Sequence, residues 1–112
     1  MIIDENISIK EMLEVIDTSN TRITFLTNEK GQLTGCISQG DIIRALIDGA
    51  SLKVQSKDIA ELNPTFVEES DRCFEEAKKV LLSNKIHAVP VVDSSKKIIS
   101  IITLMDVLEA NN

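Results

Sequence analysis

The sequence predicts an α+β fold made of two β-α-β-β-α units packed about a pseudo-two-fold axis, and three observations predict it. An offset of 65 residues lays Glu11 on Glu76, Val15 on Val80, Ile37 on Ile102, Asp41 on Asp106 and Ala45 on Ala110, the mark of an internal duplication. Each half carries two short apolar runs joined by turn residues and bracketed by stretches of helical periodicity. A chain of 112 residues is the size of one domain, enough for two small halves that form one compact module. The expected organisation is a first unit over 1–50, a linker with a short helix over 51–64, and a second unit over 65–112.

The first unit opens with a small leading strand at Ile2 and Ile3. "SIKEMLEVI" then reads as a helix, with Ser8 and Glu11 at capping-box spacing and Met12, Val15 and Ile16 on one apolar stripe. The strand pair is "ITFLTN" (23–28), a turn "EKGQ" and "LTGCIS" (33–38). "GDIIRALIDG" closes the unit as a helix with Ile42, Ala45 and Leu46 on one face and Gly49 as its stop. The linker holds a helical turn near 57–62, a stop at Asn63-Pro64 and a brief strand over 65–67. In the second unit Phe74, Ala77, Val80 and Leu81 recur at helical spacing behind a weaker cap, Ser70 or Asp71. "HAVPVVD" (87–93), the turn "SSKK" and "IISIIT" (98–103) form the second strand pair, and "LMDVLEAN" the last helix. Pro90 cannot donate to a ladder, so it belongs on an edge or at the start of pairing.

A content of 43% hydrophobic and 27% charged residues suits an aliphatic globular core rather than a disordered chain. The net charge of −6, without a Lys/Arg cluster, argues against a nucleic-acid surface, which needs concentrated positive charge. Cys36 and Cys73 make neither a C-x-x-C pair nor a disulfide framework and read as buried free thiols. No apolar run reaches membrane-spanning length, and "MIIDENISIK" lacks the basic lead and apolar core of a signal peptide, so a cytoplasmic location is expected. There is no nucleophile with a paired base, no metal cluster around the single histidine, no P-loop and no G-x-G-x-x-G, which speaks against an enzyme with catalytic or metal residues of its own. The chain starts with Met and stops just after the last helix, which suits either a complete small protein or the leading piece of a longer enzyme.

Two copies of a helix, an "h-P-V-V-D"-like strand, a turn, a "G-h-h-S/T-x-x-D" stretch and a helix resemble a tandem pair of cystathionine-β-synthase (CBS) domains, a Bateman module, over nearly the whole chain. More narrowly, "GDIIRALIDGASL" followed by "IAELNPTFV" is similar to the CBS pair attached to sugar-phosphate nucleotidyltransferases, and less closely to the pair at the end of sugar-phosphate isomerases. The resemblance implies a regulatory module, often a homodimer, that binds an adenosine-type ligand in clefts between its halves and modulates a fused or partner enzyme. AMP, ADP, ATP and S-adenosylmethionine are the candidate ligands, and no cofactor is required.

The residues suit that role chemically. Ser38 and Thr103 end a strand where a helix begins, and free amides at a helix start favour a phosphate. Asp41 and Asp106, three residues on, can accept the paired hydroxyls of a ribose. The same spacing also serves as an ordinary helix cap. The resemblance places an adenine slot on Arg22, Ile23 and Thr24, or on Ile86, His87 and Ala88. Lys85, Arg22, Arg44 and His87 are possible phosphate contacts, each otherwise a solvated polar residue. Ser100 stands where Gly35 stands in the first copy, and Phe25 where Pro90 stands in the second; both changes would narrow a cleft. A structural dimerisation module with degenerate, empty clefts is the competing expectation.

Overall fold

The structure is a computed structural model that describes residues 2–19 and 22–110. The chain divides into two compact units, Met1–Pro64 and Thr65–Asn112.

The first unit contains strand β1 (Ile2–Asp4), helix α1 (Ile9–Ser19), strands β2 (Ile23–Thr27) and β3 (Leu33–Ser38), and helix α2 (Gln39–Ile47). β2 is central, parallel to β1 and antiparallel to β3. The predicted stripe of α1 is present, with Met12 and Ile16 buried and Ile9 added at its start. These side chains meet Leu26 and Ile37 from the sheet and Ile42 from α2 to form the core. Ser8 caps α1 as expected, its hydroxyl accepting from the Glu11 amide at 3.2 Å. The Glu11 carboxylate reaches back to that hydroxyl.

Residues after α2 fold back onto this unit. The buried Ser56 opens a short 3-10 turn (Ser56–Asp58), donating its amide to the Ile7 carbonyl at 2.7 Å and its hydroxyl to the Glu5 carbonyl at 2.8 Å. Farther on, Cys36 and Glu61 exchange backbone bonds of 3.0 and 2.9 Å, so the segment adds one bridge to the open side of β3. The helical turn expected near 57–62 is therefore shorter and earlier, because Glu61 is extended against β3.

The second unit repeats the plan with β4 (Val67–Glu68), α3 (Cys73–Asn84), β5 (Ala88–Val92), β6 (Ile98–Thr103) and α4 (Leu104–Ala110); the predicted end of the last helix at Asn111 lies outside the described residues. Its core joins Ala77 and Leu81 of α3 to Val89, Val91, Ile102, Val67 and Val107. The start of α3 is weak, as expected, but neither Ser70 nor Asp71 is its cap: the N-cap is Arg72, whose side chain makes no capping bond, and the Ser70 hydroxyl accepts from the Arg72 amide at 3.1 Å, one residue too early to hold a first-turn amide. Pro90 lies in the central strand, yet its missing donor costs no bond to β6. Because the Leu104 amide bonds the His87 carbonyl at 2.8 Å, the positions bonded to β6 are His87, Val89 and Val91. The Pro90 nitrogen turns toward β4, whose pairing starts only at Val91.

The two hairpin turns are built alike. The Asn28 side chain accepts from the amides of Lys30 and Gln32, and the Asp93 carboxylate from those of Ser95 and Lys97. Gly31 and Lys96 occupy the matching left-handed position, with φ of 78° and 68°. Glycine takes that conformation freely, whereas lysine takes it at a cost of about 1 kcal/mol or more.

Candidate functional site

In each unit the start of the central strand and the start of the closing helix meet at one corner. Ile23 lies opposite Ser38 across the β2–β3 ladder, and Ala88 opposite Thr103 across β5–β6. One further backbone bond fastens each corner: the Gln39 amide donates to the Arg22 carbonyl at 3.1 Å, and the Leu104 amide to the His87 carbonyl at 2.8 Å. Arg22, Ile23, Ser38 and Asp41 are thereby gathered in the first unit, and His87, Ala88, Thr103 and Asp106 in the second.

The hydroxyl and carboxylate of each corner form a capping box. The Ser38 hydroxyl accepts from the Asp41 amide at 3.1 Å, while one Asp41 carboxylate oxygen, Oδ2, accepts from the Ser38 amide at 2.8 Å. Thr103 and Asp106 reproduce both bonds at the same lengths, 3.1 and 2.8 Å. The inner oxygen of each aspartate thus secures the helix, and the outer one faces away from the cap. Around Asp106 that outer oxygen, Oδ1, has no partner among the described residues. Around Asp41 it is paired with the Arg44 guanidinium.

The remaining candidates differ in exposure. Arg22 and His87 are exposed, Ile23 is half-buried and Ala88 is buried. Ile86 is half-buried and packs on the second core, so only part of its side chain is open to a ligand. Thr24 is wholly buried, and its hydroxyl has no hydrogen-bond partner among the described residues. Phe25 is also buried. Burial above all, then the nearby charges of Asp41 and Glu61, pushes the Cys36 thiol above the usual thiol range.

The glycine of the first corner has a structural cause. A Cβ at Gly35 would stand 2.9 Å from the Glu61 carbonyl oxygen, closer than real contacts allow. Close approach of the folded-back segment, rather than of a ligand, is what this glycine accommodates. The pairing of Asp41 with Arg44 escaped the sequence reading, although their i, i+3 spacing on a helix was its signal. Among the described residues no group of three or more His, Cys, Asp or Glu side chains could hold a metal, and no helix is long and apolar enough to cross a membrane.

Two copies of one three-stranded unit, each presenting the same corner, define a duplicated α+β module. The profile of the CBS domain matches residues 1–48 and 57–112, and the chain belongs to that family. Among curated relatives, an uncharacterized protein of Helicobacter pylori is 34% identical over 97 residues, covering 85% of this chain and 30% of the relative. Arabinose 5-phosphate isomerase GutQ of Escherichia coli is 25% identical over 103 residues, covering 92% of this chain and 32% of GutQ. The chain thus spans about a third of the length of these relatives. Among solved structures, the CBS domain pair of protein MJ0100 in complex with 5′-methylthioadenosine and S-adenosyl-L-methionine superposes with a TM-score of 0.82 at 25% identity, covering 100% of this chain and 91% of that one. CBSX2 in complex with AMP gives a TM-score of 0.82 at 25% identity, covering 99% and 86%.

Proposed function

We propose that this CBS pair is a regulatory module that binds an adenosine-type ligand at its corners and modulates a fused or partner enzyme, with no catalysis of its own. The observation that carries this reading is the duplicated corner itself. In both units a strand start, a hydroxyl cap and a carboxylate are joined by the same bonds, with the carboxylate's outer oxygen turned away from the cap. Helix capping alone uses only the inner oxygen. The adenosine ligands of MJ0100 and CBSX2 support the choice of ligand class. AMP, ADP, ATP and S-adenosylmethionine are the candidates. The regulated enzyme is a sugar-phosphate enzyme, in keeping with the GutQ relationship, and by the resemblance of residues 40–52 and 59–67 a sugar-phosphate nucleotidyltransferase. The compartment is the cytoplasm.

Thermal unfolding with each of the four ligands tests the reading. A ligand held only by the folded chain, at tenfold its Kd, stabilises by roughly 1.4 kcal/mol, which raises the midpoint of a domain this size by about 5 °C. Unchanged midpoints at millimolar concentrations of all four would remove it.

A second reading, a structural dimerisation module, is favoured by one observation. The outer faces of α2 and α4 leave Ile43, Ile47, Met105 and Leu108 exposed, Ile47 by 76%. Light scattering distinguishes it: a ligand-independent homodimer that binds no nucleotide supports this second reading, and a monomer at high concentration sinks it.

A further inference from the structure

We propose that Arg44 makes the corner of the first unit selective for phosphorylated over unphosphorylated adenosine ligands, an inference that rests on the nucleotide reading above. The two corners are alike in backbone and cap but opposite in the charge set beside the aspartate. In the first unit Arg44 stands three residues after Asp41 and pairs with its outer oxygen. The offset that takes Asp41 to Asp106 takes Arg44 to Glu109. A carboxylate therefore faces a cation in one corner and shares its helix face with a second anion in the other.

A neighbouring exchange goes with this one. A Cβ at Gly40 would come within 3.3 Å of the Arg44 guanidinium, which folds back over this glycine. The matching residue of the second unit is Met105, which carries a side chain where Gly40 has none. Arg44 places a positive charge at the first corner, beside a glycine that leaves it room; the second unit has Met105 and Glu109 at these positions.

The Asp41–Arg44 pair has a direct consequence for binding. A ribose approaching Asp41 meets an oxygen already engaged, so an unphosphorylated nucleoside must compete with the guanidinium. A ligand carrying a phosphate offers Arg44 a better, bidentate partner and frees the carboxylate for the sugar. The exchange is cheap. With the Arg44 side chain 68% exposed, the pair is a solvated surface contact whose loss scarcely weakens the fold.

The test follows the Gly40 and Met105 amides by NMR, as reporters of the two corners, while the whole chain is titrated with adenosine and with AMP. At the Gly40 reporter the wild type is expected to prefer AMP over adenosine by about tenfold, the scale of one charge-assisted contact. Arg44→Gln should bring the ratio near unity without weakening adenosine, and Arg44→Lys should retain most of the preference. The Met105 reporter should show the same ratio in all three proteins. An unchanged AMP-to-adenosine ratio at Gly40 in Arg44→Gln overturns the selectivity proposal alone. Failure of the wild type to bind any of AMP, ADP, ATP or S-adenosylmethionine overturns both this proposal and the nucleotide reading.

Discussion

Gly35 and Glu61 approach so closely that a Cβ on the glycine would press within 2.9 Å of the Glu61 carbonyl oxygen, while Cys36 beside it exchanges two backbone bonds with Glu61. A methyl group there must push the segment off β3 or distort the strand. Gly35→Ala should lower stability by roughly 1 to 3 kcal/mol, read as a fall in the urea midpoint. Ser100→Ala, at the exposed matching position of the second unit, should change it by less than about 0.5 kcal/mol. Equal effects at the two positions would refute this account of the glycine.

Thr24 gives the opposite sign. Its hydroxyl is buried without a partner among the described residues, whereas the matching residue of the second unit is the core Val89. Thr24→Val keeps the shape and removes the orphaned group, so stability should rise by about 1 kcal/mol. Val89→Thr should cost a similar amount or more. A destabilised Thr24→Val protein would mean that the hydroxyl is satisfied in solution.

The caps should respond to substitution in both units. Ser38→Ala and Thr103→Ala each remove the acceptor for a first-turn amide and should cost about 1 kcal/mol. Asp41→Asn and Asp106→Asn leave an amide oxygen able to accept from the Ser38 or Thr103 amide. Their unfolding midpoints should therefore move much less than those of the hydroxyl variants, and circular dichroism with urea titration would show it.

Cys36 carries a pH prediction. Because folding raises this thiol's pKa, the folded chain keeps its proton where the unfolded chain has released it. The sign is then fixed: the contribution is fully present below the unfolded pKa, about 8.5, and is lost as pH climbs beyond it. Cys36 should also alkylate more slowly in the folded chain than in the urea-unfolded chain at pH 8, since the thiolate is the reactive form. Removing one neighbouring charge with Asp41→Asn should speed Cys36. Iodoacetamide labelling followed by mass spectrometry checks both statements, and a Cys36 that labels as fast in the folded parent as in the unfolded chain contradicts them.

Much of the fold was legible because duplication and local chemistry agree. The outer strands Leu33–Ser38 and Ile98–Thr103 coincide with their apolar runs, since a turn residue precedes each and a cap follows. The stripe of α1 and the weak start of α3 were equally local. What escaped depends on contacts distant in sequence. The position of Ser56 is set by the carbonyls of Glu5 and Ile7, and the extended backbone at Glu61 by Cys36. No local pattern announces either. At the corners, the hydroxyl and aspartate spacing was visible, but the division of each carboxylate into a capping oxygen and an outer oxygen is a matter of geometry. Gly35 shows the same limit, since a missing side chain marks a close approach without saying what approaches.

The most direct test of the central claim, that the outer carboxylate oxygens hold a ligand, is calorimetric titration of AMP into the parent chain and into the Asp41→Asn/Asp106→Asn double variant. The account predicts saturable binding to the parent and an affinity at least about tenfold weaker in the variant, with the unfolding midpoints of the two proteins close together. Equal affinity in both proteins, or a parent that binds none of AMP, ADP, ATP and S-adenosylmethionine at millimolar concentration, would contradict it.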